Sequence, residues 1–266
     1  AFNNVGGGLV CSSYSDNMTN IVDCQTSGRI SGGLCGGIIA QTGNTSMIRC
    51  SSEMDMEAEG IIGGICGSIG GGTTSFEDCN SRGNYTSKNG NVGGIVGMVQ
   101  DGIQHTFTRC SSSAGLCSIN NYSSCGVGGI VGSIQTSTNV FNDCYSTSDI
   151  VVKESYSITG IGGLVGFANS GTFKFYSSYF KGSFDVPGGE CVGGIIGFDN
   201  SSSSVVAENC YSEFDSITCY NCVGGFIGSQ GGSSSVYTLT GCYTDFTKIE
   251  TPGISDAYAA GGIGKS

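Results

Sequence analysis

Residues 128–148 read GGIVGSIQTSTNVFNDCYSTS, and a second version, GGLVGFANSGTFKFYSSYFKGSF, follows at 162–184. Each opens with a glycine doublet and aliphatic residues, and each closes on a triplet built around Cys144-Tyr145-Ser146 or Ser178-Tyr179-Phe180. Extended outward, the doublet recurs with its first glycine at 7, 36, 63, 93, 128, 162, 193, 224 and 261, a mean spacing of roughly 32 residues, within the range of repeat architectures. About halfway through each unit stands a second landmark: Cys24, Cys50, Cys79, Cys110, Cys144, Ser178, Cys210 and Cys242.

Glycine at this density opposes helices, and Val, Ile and Thr cluster beside each doublet. Each unit therefore reads as short strands separated by Gly, Asn and Ser turns. A unit of this size cannot bury its own apolar face, so units must stack, pairing equivalent strands in parallel. The expectation is an all-β chain: a single parallel β-solenoid domain over 1–266, about eight coils with a partial ninth.

Stacking in register turns equivalent positions into ladders. Three residues before the cysteine column stand Ile21, Met47, Phe76, Phe107, Phe141, Phe175, Ala207 and Leu239, all apolar, as an interior column requires. One residue before it, Asp23, Arg49, Asp78, Arg109 and Asp143 alternate in sign and predict an exposed charge ladder. One residue after it, Tyr145, Tyr179, Tyr211 and Tyr243 predict a stacked pile. Offsets −3 and 0 cannot share a face of one regular strand, so a bend or bulge is expected between them.

The Gly-Gly-Leu-Val-Gly strand followed by an Asn-Cys-Tyr-Ser-like stretch resembles the GLUG repeat of secreted and cell-surface proteins, over nearly the whole chain. That resemblance implies a β-solenoid stalk or surface and brings no catalytic residue with it. This chain departs from the repeat in its extra cysteines and in insertions in the fourth, fifth and eighth coils.

Ten Lys and Arg against 21 Asp and Glu give a net charge of −11, which opposes binding to nucleic acid or to an anionic membrane. The single histidine, His105, removes most metalloenzyme and histidine-dependent nucleophile designs. No stretch approaches the ~20 apolar residues of a membrane span. Fifteen cysteines and the sequons at Asn17, Asn44, Asn84, Asn121 and Asn200 point to an oxidising compartment. The opening AFNNVGGGLVC reads as a secreted, extracellular chain whose signal peptide has been removed.

Two readings stay open for the column cysteines: inter-coil disulfides such as Cys24–Cys50 or Cys79–Cys110, or a ladder of small buried thiols. Outside the column, Cys191 and Cys222 lie one coil apart, each two residues before a doublet, and are the leading disulfide candidates. Cys117 and Cys125 bracket an insertion and form a second candidate pair. Cys219-Tyr-Asn-Cys222 lacks the second pair that zinc needs. The segment Glu53 to Glu59, EMDMEAE, reads as a strand with one wet acidic face. The terminal AAGGIGKS fits a relaxed phosphate-loop pattern, but its glycines belong to the ninth doublet.

Neither a catalytic, a cofactor-binding nor a metal site is expected. The leading functional expectation is a glycosylated structural subunit of an extracellular filament or surface appendage, a homopolymer assembling head to tail. The alternative is a cell-surface adhesin binding glycan or protein through loops around 112–126, 147–160 and 246–260, with Tyr122, Tyr156, Tyr220 and Tyr258 for sugar stacking. A polysaccharide-acting β-helix enzyme is the third and weakest reading, because no acid constellation recurs.

Overall fold

The structure, a computed structural model, describes residues 4–14, 17–119, 125–153, 160–231 and 234–250, with the backbone of two further short strands, Tyr258–Ala260 and Ile263–Lys265. Among the described residues there is no helix; the chain is 67% strand, wound as a parallel β-solenoid of about seven turns, close to the eight read from the doublets.

Each coil passes through three sheets. The first, nine strands deep, stacks the doublet segments from Val5–Gly7 and Leu34–Gly36 through Val127–Gly128 to Cys222–Gly224 and Tyr258–Ala260. The second carries the aliphatic follower and the approach to the cysteine. In two coils these form unbroken strands, Val131–Asn142 and Val165–Tyr176, and elsewhere a turn splits them, as in Val96–Val99 and Gln104–Thr108. The third follows the cysteine, as in Ser51–Ala58 and Tyr211–Thr218. Pairing is parallel and in register: Gly128 lies on Gly162, Phe141 on Phe175, and Tyr145 on Tyr179.

The doublet makes the tightest corner, and sterics explain its composition. A Cβ on Gly93 would lie 1.8 Å from the carbonyl oxygen of Val96, three residues on. A Cβ on Gly94 would lie 2.0 Å from the carbonyl oxygen of Gly129 in the next coil and 2.4 Å from Ser112. Neither position admits a side chain while the coils keep β spacing.

The bend expected before the cysteine is a single left-handed residue. Asp23, Arg49, Asp78, Arg109, Asp143, Ser177, Asn209 and Gly241 all have φ between 48° and 63°. One such residue reverses the alternation, so the column three before the cysteine and the cysteine itself both face inward. Six of the eight residues in that inner column are at most 1% exposed, Ile21 is 7% exposed, and Leu239 opens to 37%. Inside it, Phe76, Phe107, Phe141 and Phe175 stack with centroids 5.1, 4.9 and 4.8 Å apart and planes within 8° of parallel. That is the offset pile aromatic rings favour.

Candidate functional site

The columns around the cysteine corner carry most of the chemistry. The charge column resolves into bidentate pairs rather than one continuous ladder. Arg49 donates to both carboxylate oxygens of Asp23, at 2.6 and 2.8 Å. Arg109 donates to both oxygens of Asp78, at 2.7 and 2.9 Å, and to Glu77 at 2.6 Å. Hydrogen bonds from these guanidinium groups hold the Asp23 and Asp78 carboxyls below the usual range. Asp143 extends the column with no salt bridge among the described residues. All these groups are solvated, so the pairs set register more than stability.

The cysteine column is a ladder of thiols. Cys50, Cys79, Cys110 and Cys144 are buried, Cys24 and Cys242 half-buried, and none of the fifteen cysteines is disulfide-bonded in the structure. Each thiol donates to main-chain carbonyls: Cys110 to Phe76 in the preceding coil at 3.4 Å and to Thr108 at 3.6 Å. In the sixth coil Ser178 takes over the role, donating to Phe141 at 3.3 Å and Tyr176 at 2.9 Å. Burial pushes the Cys35 and Cys210 thiols up to about 11 and Cys219 up to about 12, which suppresses thiolate chemistry.

The other candidates fall in different places. Cys191 and Cys222 are direct register partners in the first sheet. Cys117 lies in a third-sheet strand between Thr86 and Val151, while the Cys125 thiol reaches the Asn89 carbonyl at 4.0 Å. The residues joining Cys117 to Cys125 are only partly described. The Cys219 thiol donates to the Cys222 carbonyl at 3.5 Å. Among the described residues no group of three or more His, Cys, Asp and Glu side chains is placed to hold a metal ion. No helix there is long and apolar enough to cross a membrane.

Of the sequons, Asn17, Asn84 and Asn200 are exposed and Asn44 is half-buried, while Asn121 lies outside the described residues. The amide nitrogen of Asn84 donates to Asp55 at 3.0 Å and that of Asn200 to Asn169 at 2.6 Å. Segment 53–59 alternates as expected. Met54, Met56 and Ala58 point inward, and Glu53, Asp55 and Glu59 pair outside with Arg82, Arg29 and Lys88.

Tyr145, Tyr179, Tyr211 and Tyr243 stack with centroids 5.0, 4.7 and 5.0 Å apart, planes within 6°. Each inner ring has both faces covered by its neighbours, so the ladder presents ring edges and hydroxyls to solvent. Of the tyrosines expected to stack sugars, Tyr122, Tyr156 and the Tyr258 side chain lie outside the described residues, and Tyr220 is half-buried. A cavity of about 750 Å³ runs along the first four coils beside Gly32, Glu57, Glu59, Thr86 and Lys88.

Three features escaped the sequence. Two residues after the cysteine, Ser52, Ser81, Ser112, Ser146 and Ser212 form a buried column against the doublets, and the Ser212 and Ser81 hydroxyls donate to the carbonyls of Gly225 and Gly94. The recurring Cys-x-Ser spelled this out. His105 is fully buried; its Nδ1 bonds the Thr74 hydroxyl at 2.8 Å, and burial lowers the imidazole to about 4. Asp199 is fully buried and accepts the Tyr237 hydroxyl at 2.7 Å. Only a coil-by-coil map places these two inside.

No protein-family model, curated protein or solved structure matched the chain. The resemblance to the GLUG repeat rests on its two landmarks alone.

Proposed function

We propose that the chain is a structural subunit of an extracellular filament or surface appendage, a rod whose coils associate end to end with those of another copy. One observation carries this reading: the inner column, closed at Ile21, opens at Leu239, its last member. Phe141 is fully buried in mid-rod, whereas Leu239, of the same column, is 37% exposed, and neighbouring Val236 and Tyr243 are 62% and 58% exposed. Strands Val236–Thr240 and Tyr243–Glu250 are each paired on one side only among the described residues, as are Thr19–Val22 and Gln25–Gly32 in the first coil. An open strand edge with apolar side chains beside it templates further parallel pairing. A heterologous contact of that kind propagates instead of closing.

The fifteen cysteines and the sequons support an extracellular setting, and neither assigns a ligand. The inner rings of the tyrosine ladder, Tyr179 and Tyr211, do not favour the glycan-binding alternative, because both faces of each, which sugars would need, are occupied by other rings. Negative-stain electron microscopy and sedimentation across a concentration series test the proposal. Axial polymers with the solenoid's cross-section are expected, and monodisperse monomers at high concentration would overturn it.

A further inference from the structure

Among fifteen thiols, one pair occupies a position of its own. Cys191 and Cys222 are Cα partners in adjacent parallel strands of the first sheet. Such partners sit ~4.8 Å apart, inside the ~4.4–6.8 Å window for a disulfide. Both are buried, and the Cys222 thiol reaches the side-chain oxygen of Asn221 at 3.3 Å. The equivalent positions of earlier coils hold Leu34, Ile61, Asn91, Gly126 and Gly160, so this junction alone carries the pair.

Other thiols are committed elsewhere. Column neighbours such as Cys79 and Cys110 also touch, but each donates to two main-chain carbonyls beside the phenylalanine stack. A bond between them would give up those hydrogen bonds at a corner already holding a left-handed residue. The Cys219 thiol points at the Cys222 carbonyl instead of its sulfur.

We infer that Cys191 and Cys222 form one inter-coil disulfide that clamps the eighth coil to the seventh, while the column thiols stay reduced. In the eighth coil the strands Val236–Thr240 and Tyr243–Glu250 are paired on one side only among the described residues, so a covalent tie at the preceding corner restrains them. The inference is independent of whether the rod polymerises.

Chemically, one of the two thiolates attacks a small disulfide oxidant such as oxidised glutathione, forming a mixed disulfide and releasing one glutathione thiolate. The second cysteine thiolate attacks the protein sulfur of that mixed disulfide and releases the other. Two protein thiols lose two electrons and two protons, and the oxidant's S–S bond becomes two thiols. Burial of both sulfurs places this step during folding, before the eighth coil docks, and shields the finished bond from reductants.

The test refolds the reduced full-length chain in a glutathione redox buffer and maps it by non-reducing peptide mass spectrometry, alongside protein secreted by a eukaryotic host. The expected result is a single cross-link joining the peptides of Cys191 and Cys222, unchanged in Cys219→Ser. Backbone amides of 236–250 should exchange at least tenfold more slowly than in the Cys191→Ser/Cys222→Ser double variant. Natively folded protein with all thiols free, or with Cys222 joined to Cys219 or to a column cysteine, overturns the assignment. A cross-link without slowed exchange overturns the clamp.

Discussion

The one histidine gives the solenoid a measurable acid sensitivity. His105 sits inside the second sheet, faces Thr74 below and Asn139 above, and closes over the turn at Asp101 and Gly102. Burial depresses its pKa from 6.5 to about 4, against the smaller raising effect of the Asp101 backbone and carboxylate beside it. At any pH between those values the unfolded chain binds the proton and the folded chain does not, so stability falls as pH drops through that window. A depression of about 2.5 units at ~1.4 kcal/mol each gives a loss of about 3 kcal/mol, complete near pH 4 and absent above about pH 7. Because no other histidine exists, one imidazole resonance reports the folded-state titration directly. Denaturant unfolding from pH 7 to 4, compared with His105→Asn, isolates its share of the pH dependence from that of the carboxylates. An imidazole titrating near 6.5 in the folded protein, or equal pH dependence in both proteins, refutes the reasoning.

Two further predictions probe packing. Phe141→Ala removes a ring stacked on both sides and should cost about 3–5 kcal/mol, while Phe175→Ala, with Ala207 above it, should cost less by roughly one ring pair, ~0.5–1.5 kcal/mol; unfolding midpoints that reverse this order would contradict the stack. Gly94→Ala drives a Cβ into the Gly129 carbonyl and should cost at least the ~1–3 kcal/mol of overpacking, whereas Gly43→Ala meets nothing within 4 Å and should stay within ~0.5 kcal/mol of wild type. Equal melting temperatures for those two variants would remove the steric account of the doublet.

Much of this molecule was legible because a solenoid writes its third dimension into its period. Equivalent residues one unit apart become neighbours, so the phenylalanine and tyrosine stacks follow from counting alone. Departures from the period hid the rest. In the sixth coil Ser178 replaces the cysteine and Phe180 replaces the serine two residues on, and Phe180 fills the space against Gly163 that serine occupies elsewhere. His105 and Asp199 look like surface residues in a linear reading, since one stands beside an exposed turn and the other beside a sequon. Their inward direction depends on the phase of alternation in a split strand, which the sequence does not reveal until the coil is closed. The charge column was legible as a column but not as discrete pairs, because which aspartate an arginine chooses is a matter of side-chain reach.

That same column explains how an almost repetitive chain avoids slipping. A shift of two residues within a coil keeps alternating faces matched, so apolar patterning alone does not forbid it. The left-handed corner does. Its occupants are Asp, Arg, Ser, Asn and Gly, none β-branched or aromatic, and Asp, Asn and Gly tolerate positive φ best. A two-residue slip would ask Ile21, Met47, Phe76 or Phe107 to come towards that conformation and would carry Arg109 away from Asp78. Residues that turn the corner are also those that bond across it in Asp23–Arg49 and Asp78–Arg109. The backbone conformation excludes the wrong register and the charges favour the right one, while the interior phenylalanines contribute stability without choosing between them.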